Sequence, residues 1–251
     1  MVMELSLVLP GYNEEEGIDA AVRRCVSALG RLGVSYEIIV VDDGSTDRTA
    51  EIADRLAAEF QAVRVIHNPV NLNVGASLLI GMRAARGRII THNSFDLPFA
   101  PEDLGSILLP LRLGHADVVV AVRTDRSAHS PWRKVTSLTH HWLVRMLFAV
   151  GIRDLNFVQA YRRDLLDVLK VRSRSPAFVT PELIIRAKAS GYRIVQVAAP
   201  FHPRKSGRAN FGKPRDILWT FADMVSFKLE MKSGGRTPAL DERSDRGASV
   251  R

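Results

Sequence analysis

Leu9-Pro10-Gly11-Tyr12-Asn13-Glu14-Glu15 and Val40-Val41-Asp42-Asp43-Gly44-Ser45-Thr46-Asp47 are the two stretches on which the fold turns. Each begins as an apolar, β-rich run and breaks into Gly, Asn and Asp, residues that suit turns and helix starts. Working outward from them, the same alternation repeats. Residues 5–10, 36–41, 63–68, 88–92 and 116–122 read as buried strands, rich in Val, Ile and Leu. Helical segments are expected between them near 15–32, 47–60, 75–85 and 101–113, with Ser45 or Thr46 capping the second. Such a β-α-β series predicts a doubly wound, mostly parallel α/β sheet flanked by helices. Ligands bind such sheets beyond the carboxyl ends of the strands, so both quoted stretches should line one crevice. There Tyr12 can stack on a base, and Asp42 or Asp43 can accept hydrogen bonds from base or ribose. Turns and helix caps alone would use the same residue types.

Beyond Arg123 the pattern loosens. Residues 134–150 and 181–190 read as helices and 193–197 as a strand. Ile217, Leu218, Phe221, Met224, Val225 and Leu229 recur at helical spacing and form an apolar stripe. One domain is expected over 1–231, followed by a polar, disordered tail over 232–251. The charge is just as uneven. Residues 1–122 carry a net −6 and residues 123–251 a net +14, within a total of +8. A basic half suits an anionic partner, such as a phosphate-bearing lipid, an anionic membrane surface or nucleic acid, and equally a solvated face. Nothing beyond net charge points to nucleic acid.

No apolar run reaches the ~18–20 residues that a membrane-spanning helix requires. Glu4 stands where a secretory leader would be basic or apolar. The expected location is therefore cytoplasmic, with room for peripheral contact at the inner face of the membrane. Stretch 142–150 and the 217–229 stripe, flanked by Lys213, Arg215, Lys228 and Lys232, are the surfaces that would make it. The single Cys25 excludes an internal disulfide and a cysteine metal cage. His92, His140, His141 and His202 lack metal-ligand spacing and read as structural or solvent-facing.

Taken together, the Pro-x-Tyr-Asn-Glu and Val-Asp-Asp-Gly-Ser-x-Asp segments resemble family 2 of the glycosyltransferases. Within it, they are similar to the polyprenyl-phosphate sugar synthases of the dolichol-phosphate mannose synthase type. Asn71, Gly75, Gly81, Ala85 and Gly87 track that family's glycine-spaced helix, and the resemblance runs on to about Gly212. It implies the fold called GT-A and a nucleotide-diphosphate sugar, GDP- or UDP-linked, as donor. It implies inversion at the anomeric carbon, and Pro10, Tyr12, Glu14 and Asp43 facing the nucleotide. The acceptor it implies is a polyprenyl phosphate.

The family's Asp-x-Asp motif falls on Ser94-Phe95-Asp96, so one of its two carboxylates is missing. Three readings stay open: Mg²⁺ or Mn²⁺ held mainly by Asp96, phosphate charge met by Arg and Lys instead, or activity lost. The last would leave a non-catalytic nucleotide-sugar-binding module. By the same resemblance Arg123, the pair Arg133 and Ser137, and Arg204 with Lys205 handle phosphate, a task that guanidinium forks suit. An ionised phosphate acceptor needs no general base, whereas a hydroxyl acceptor would, with Asp154 or Glu182 as the candidates. Glu182 is expected near the site.

Overall fold

The computed structural model describes residues 3–124, 142–202 and 214–232. The first half alternates strand and helix as read. β1 (Leu5–Gly11), α1 (Ile18–Arg31), β2 (Tyr36–Asp42), α2 (Thr49–Glu59), β3 (Val63–His67), α3 (Val74–Ala84) and β4 (Ile89–His92) follow in order. A 3₁₀ turn at Pro101–Asp103 leads into α4 (Leu104–Arg112), and β5 (Val118–Arg123) closes this half. Helical residues 142–148 form α5. Then come β6 (Gln159–Arg162), α6 (Arg163–Val168), α7 (Val179–Ala189), β7 (Ile194–Ala199) and α8 (Pro214–Lys232).

The seven strands make one sheet in the order β3-β2-β1-β4-β6-β5-β7. β1 pairs parallel with β2 from Leu5↔Tyr36 to Gly11↔Asp42, so the two quoted stretches leave the sheet side by side. The Asp43 N–H donates to Gly11 O at 2.9 Å across that seam. Alternation along the strands divides the core. Leu5, Leu7 and Leu9 pack toward α1, α2 and α4, while Val8, Ile39 and Val41 pack toward α3 and α7. Cys25 lies buried in α1, and burial pushes its thiol up to about 12.

One expectation needs correction, and other features were not read. Ser45 and Thr46 do not cap α2. The Ser45 hydroxyl accepts from Asn13 N–H at 3.0 Å, and Thr46 N–H donates to the Asn13 side chain at 2.8 Å; the Asp47 carboxylate takes the Thr49 N–H instead. β6 is antiparallel to both neighbours and separates β4 from β5, and neither this insertion nor α6 was read from the sequence. Of the helix expected over 134–150, residues 142–148 are helical; residues 134–141 and the tail after 232 lie outside the described residues. No helix among the described residues is long and apolar enough to cross a membrane.

Candidate active site

A cavity of about 1060 Å³ opens at the carboxyl ends of β1 and β2. Pro10, Tyr12, Glu14, Asp43 and Ser94 all line it, so the structure brings these five together. Their loops are laced to each other. Glu14 N–H donates to the Thr49 hydroxyl at 2.8 Å, and Glu15 N–H to Asp47 at 3.2 Å. Gly11 is required by contact: a Cβ there would stand 2.4 Å from the Phe95 ring. That contact seats the Ser94-Phe95-Asp96 turn against the β1 loop.

Asp43 is the most tightly held of the five. Its Oδ1 accepts from Leu72 N–H at 2.8 Å, Ser77 Oγ at 2.7 Å and Asn68 Nδ2 at 3.0 Å. Only 2% of the residue is exposed. Three donors on one anionic oxygen fix the carboxylate's orientation, because charge-assisted hydrogen bonds are about twice as strong as neutral ones. Asn68 and Ser77, which hold it, were not singled out from the sequence. Asp42 is placed differently. Its Oδ1 accepts from Ser45 N–H at 3.0 Å and its Oδ2 meets His67 Nδ1 at 2.9 Å, away from the cavity lining. His67 also contacts Asp54 at 3.0 Å, and the Asp42 carboxylate, aided by Asp54, holds its pKa above the ordinary value.

The remaining predicted residues separate into three groups. Asp96 is half-buried on the turn after Ser94 and is not among the lining residues. Arg123 forms a fork on Asp154, at 2.7 and 2.8 Å, and lies over the rings of Phe157 and Phe201. Arg133, Ser137, Arg204 and Lys205 lie outside the described residues, as do His140 and His141. His92 has a buried Nε2 without a hydrogen-bond partner among the described residues. Burial pushes its pKa down to about 4, so the ring is neutral.

Glu182, expected near the site, lies behind the cavity wall rather than in the lining. It is fully buried, its two oxygens accept from the N–H groups of Arg172 and Ser173 at 3.2 and 2.8 Å, and it pairs with Arg186 at 2.6 Å. It braces the cavity wall from behind. Asp154 is equally committed, 2% exposed and paired with Arg123. Neither carboxylate is placed to act as a base.

The wall that Glu182 braces carries residues the sequence reading missed. Arg172 and Arg174 face the cavity from the segment before α7, Arg83 from α3, and Arg215 with Trp219 from α8. Two signals were present. Ala76, Ile80 and Arg83 share one face of α3 at i, i+4 and i+7. In Arg172-Ser173-Arg174-Ser175 the serines are buried and the arginines exposed, the alternation of an extended segment.

Among the described residues no group of three or more His, Cys, Asp or Glu could hold a metal ion. A cation enclosed by protein ligands therefore does not fit the described residues. One carboxylate and a neighbouring hydroxyl, Asp96 and Ser94, suit a hard cation whose other ligands are phosphate oxygens and water.

The crevice at the parallel strand ends is thus lined by an oriented aspartate and by several arginines. Glycosyl transferase family 2 matches residues 6–169, and the chain belongs to that family. Dodecaprenyl-phosphate galacturonate synthase of Rhizobium johnstonii is 30% identical over 236 residues, covering 93% of this chain and 69% of that protein. Undecaprenyl-phosphate 4-deoxy-4-formamido-L-arabinose transferase of Pseudomonas fluorescens is 34% identical over 220 residues, 86% of this chain and 62% of the relative. Glycosyltransferase AglD of Haloferax volcanii is 32% identical over 223 residues, 86% of this chain and 35% of the relative. The chain thus spans between 35% and 69% of the length of these three relatives.

Among solved structures, glucosyl-3-phosphoglycerate synthase of Mycobacterium tuberculosis with phosphoglyceric acid superposes with a TM-score of 0.68 at 23% identity. That match covers 89% of this chain and 79% of that one. The same enzyme with Mn²⁺, uridine diphosphate and phosphoglyceric acid gives 0.64 at 26% identity, covering 92% and 79%. The fold is GT-A, as the resemblance implied.

Proposed function

We propose that this chain is an inverting glycosyltransferase that moves a sugar from a nucleotide-diphosphate sugar to a polyprenyl phosphate. The observation that carries the reading is the fixed Asp43 carboxylate, facing one cavity with Pro10, Tyr12 and Glu14. Tyr12 offers a ring for the base, and the Asp43 oxygen not taken by Leu72, Ser77 and Asn68 can accept from base or ribose. Departure of the nucleoside diphosphate builds negative charge, and preorganised positive groups stabilise it. A divalent cation carried on the diphosphate, touched by Asp96 and Ser94, would supply part of that charge.

The state of the two candidate bases supports this acceptor. Both carboxylates the sequence offered for deprotonating a hydroxyl, Asp154 and Glu182, are buried in ion pairs. An acceptor already ionised at neutral pH needs neither. The names of the Rhizobium and Pseudomonas relatives support a polyprenyl phosphate, and the uridine diphosphate of the 26%-identical structure supports a uridine donor beside a guanosine one.

Peripheral contact with an anionic membrane belongs to the same reading. Leu218, Phe221, Val225 and Leu229 are 70%, 48%, 38% and 61% exposed along one side of α8, opposite the buried Thr220, Met224 and Phe227. Lys228 and Lys232 lie beside that stripe. The test is a thermal-shift screen of GDP and UDP, followed by transfer from the matching sugar nucleotides to undecaprenyl phosphate. A true ligand at 100 times its Kd stabilises by about 2.7 kcal/mol. Absence of both a shift and transfer overturns the proposal.

A further inference from the structure

The cavity is a large one. At about 1060 Å³ it stands at the top of the range of roughly 300–1,000 Å³ for ligand pockets. Its two ends differ in chemistry. One holds Tyr12, Glu14 and Asp43; the other is an arm bounded by α3, residues 171–176 and α8. That arm has an apolar floor of Leu79, Ile80, Val171 and Trp219, and a rim of Arg83, Arg172, Arg174 and Arg215. Asp216 is the one carboxylate among its described lining residues. Arg83, Arg174 and Arg215 make no ion pair among the described residues, and Arg172 reaches only Glu230, at 3.5 Å.

The wall is built to hold these guanidiniums in place. The N–H groups of Arg172 and Ser173 donate to Glu182, and those of Arg174 and Ser175 to Asp223 of α8, at 3.1 and 3.0 Å. A Cβ at Gly75 would stand 2.4 Å from Ser175 O, so the segment is pressed onto α3. The segment's shape thus rests on backbone contacts, and its arginine side chains remain for a ligand.

We infer that this arm is the acceptor subsite and takes a phosphate that carries an apolar chain. The phosphate meets Arg172, Arg174, Arg215 and Arg83, and the first units of the chain lie on Ile80, Leu79 and Trp219. The inference rests on the glycosyltransferase reading and adds to it where the acceptor binds. A bare anion would leave the floor uncovered, and a neutral lipid would leave the rim unpaired. Only an amphiphilic phosphate uses both.

Calorimetric titration of the full chain with farnesyl phosphate, farnesol, inorganic phosphate and UDP tests it. Farnesyl phosphate should bind at least tenfold tighter than farnesol or inorganic phosphate. Arg174→Gln combined with Arg215→Gln should weaken farnesyl phosphate at least tenfold and leave the Kd of UDP within twofold. Trp219→Ala should weaken farnesyl phosphate without changing inorganic phosphate. Unfolding curves check that the double variant is folded; should it not be, Arg83→Gln on the cavity-facing side of α3 gives the same readout, with a loss of at least threefold expected. Wild-type affinity for farnesyl phosphate in the folded variant overturns the inference. So does an equal loss for UDP, which would assign the arm to the donor. The underlying reading fails separately, if the wild-type chain binds neither UDP nor GDP and transfers no sugar.

Discussion

The half that ends at β5 and the half that begins at α5 are held together by different physics. In the first, β1 and β2 are buried along nearly their whole length, and the helices contribute regular apolar faces such as Ile18, Val22, Cys25 and Leu29. Its buried polar contacts sit at the two ends of the strands, around Asp43 at the carboxyl ends and around Glu37, held by Ser6 and Arg64, at the amino ends. In the second, ion pairs run through the interior, Glu182 with Arg186 and Arg186 with Glu230, while Asp154 reaches back to Arg123 of β5. The first half is thus packed by alternation that a short window of sequence reveals. The second also relies on pairings such as Arg186 with Glu230, 44 positions apart, that no short window reveals. The division teaches where rigidity serves the site: an apolar platform orients Asp43, and a charged lattice orients the arginine wall.

The sharpest way to break this contrast is Glu182→Ala. Removing Glu182 leaves Arg186 with Glu230 alone and takes the acceptor from the Arg172 and Ser173 N–H groups, and a loss of about 3 kcal/mol is expected in urea unfolding. A loss under about 1 kcal/mol would mean that the second half does not depend on its charges. Asp43→Ala comes next. It should weaken nucleotide binding by at least tenfold, or about 1.4 kcal/mol, measured by calorimetry on folded protein. Unchanged affinity would remove Asp43 from the donor site.

Ser94→Asp sharpens the comparison at the end of the cavity that holds Tyr12 and Asp43. Chelator should weaken UDP binding to the wild-type chain only in part, and the ratio of affinities with and without Mn²⁺ should rise about threefold or more in the variant. Equal binding with and without metal in both proteins would favour arginine alone as the counter-charge. The smallest effect is expected at His67, which ties Asp42 to Asp54. Its pKa is raised in the folded state, chiefly by Asp42, so its contribution to stability is complete below the unfolded value of 6.5 and fades as pH climbs through the higher folded value. His67→Gln should therefore cost more stability at pH 5.5 than at pH 8.5. The reverse order would show that the ring acts as a neutral spacer.

Legibility in the sequence follows the same divide. The five strands of the first half were placed within a residue or two because each is a continuous apolar run ending in turn residues. The pairing of Pro10, Tyr12 and Glu14 with Asp43 was legible because both stretches leave adjacent parallel strands. β6 was not legible as an antiparallel insertion: its four residues, Gln159-Ala160-Tyr161-Arg162, are too few and too mixed for periodicity to speak. The fates of Glu182 and Asp154 were hidden for another reason. A carboxylate looks the same in a sequence whether it faces substrate or a buried guanidinium, and only the positions of Arg186 and Arg123 decide. Asn68 and Ser77 escaped because their task is to hold Asp43 rather than to touch a ligand.

The insertion of β6 also sets an order of assembly. β5 has two neighbours in the sheet, β6 and β7, and both lie downstream of it. As the chain leaves the ribosome, β1 to β4 can pair at once with strands already made. β5 must wait for residues 159–162, nearly forty positions on, to settle against β4 before it has an edge to join. Closing so long a loop before any contact rewards it is slow relative to local pairing. Until then Val118, Val119 and Val120, fully buried in the finished protein, form an exposed apolar strand. The interval between the synthesis of β5 and that of β6 therefore leaves an apolar strand without its sheet neighbours, the kind of exposed edge from which misassociation starts.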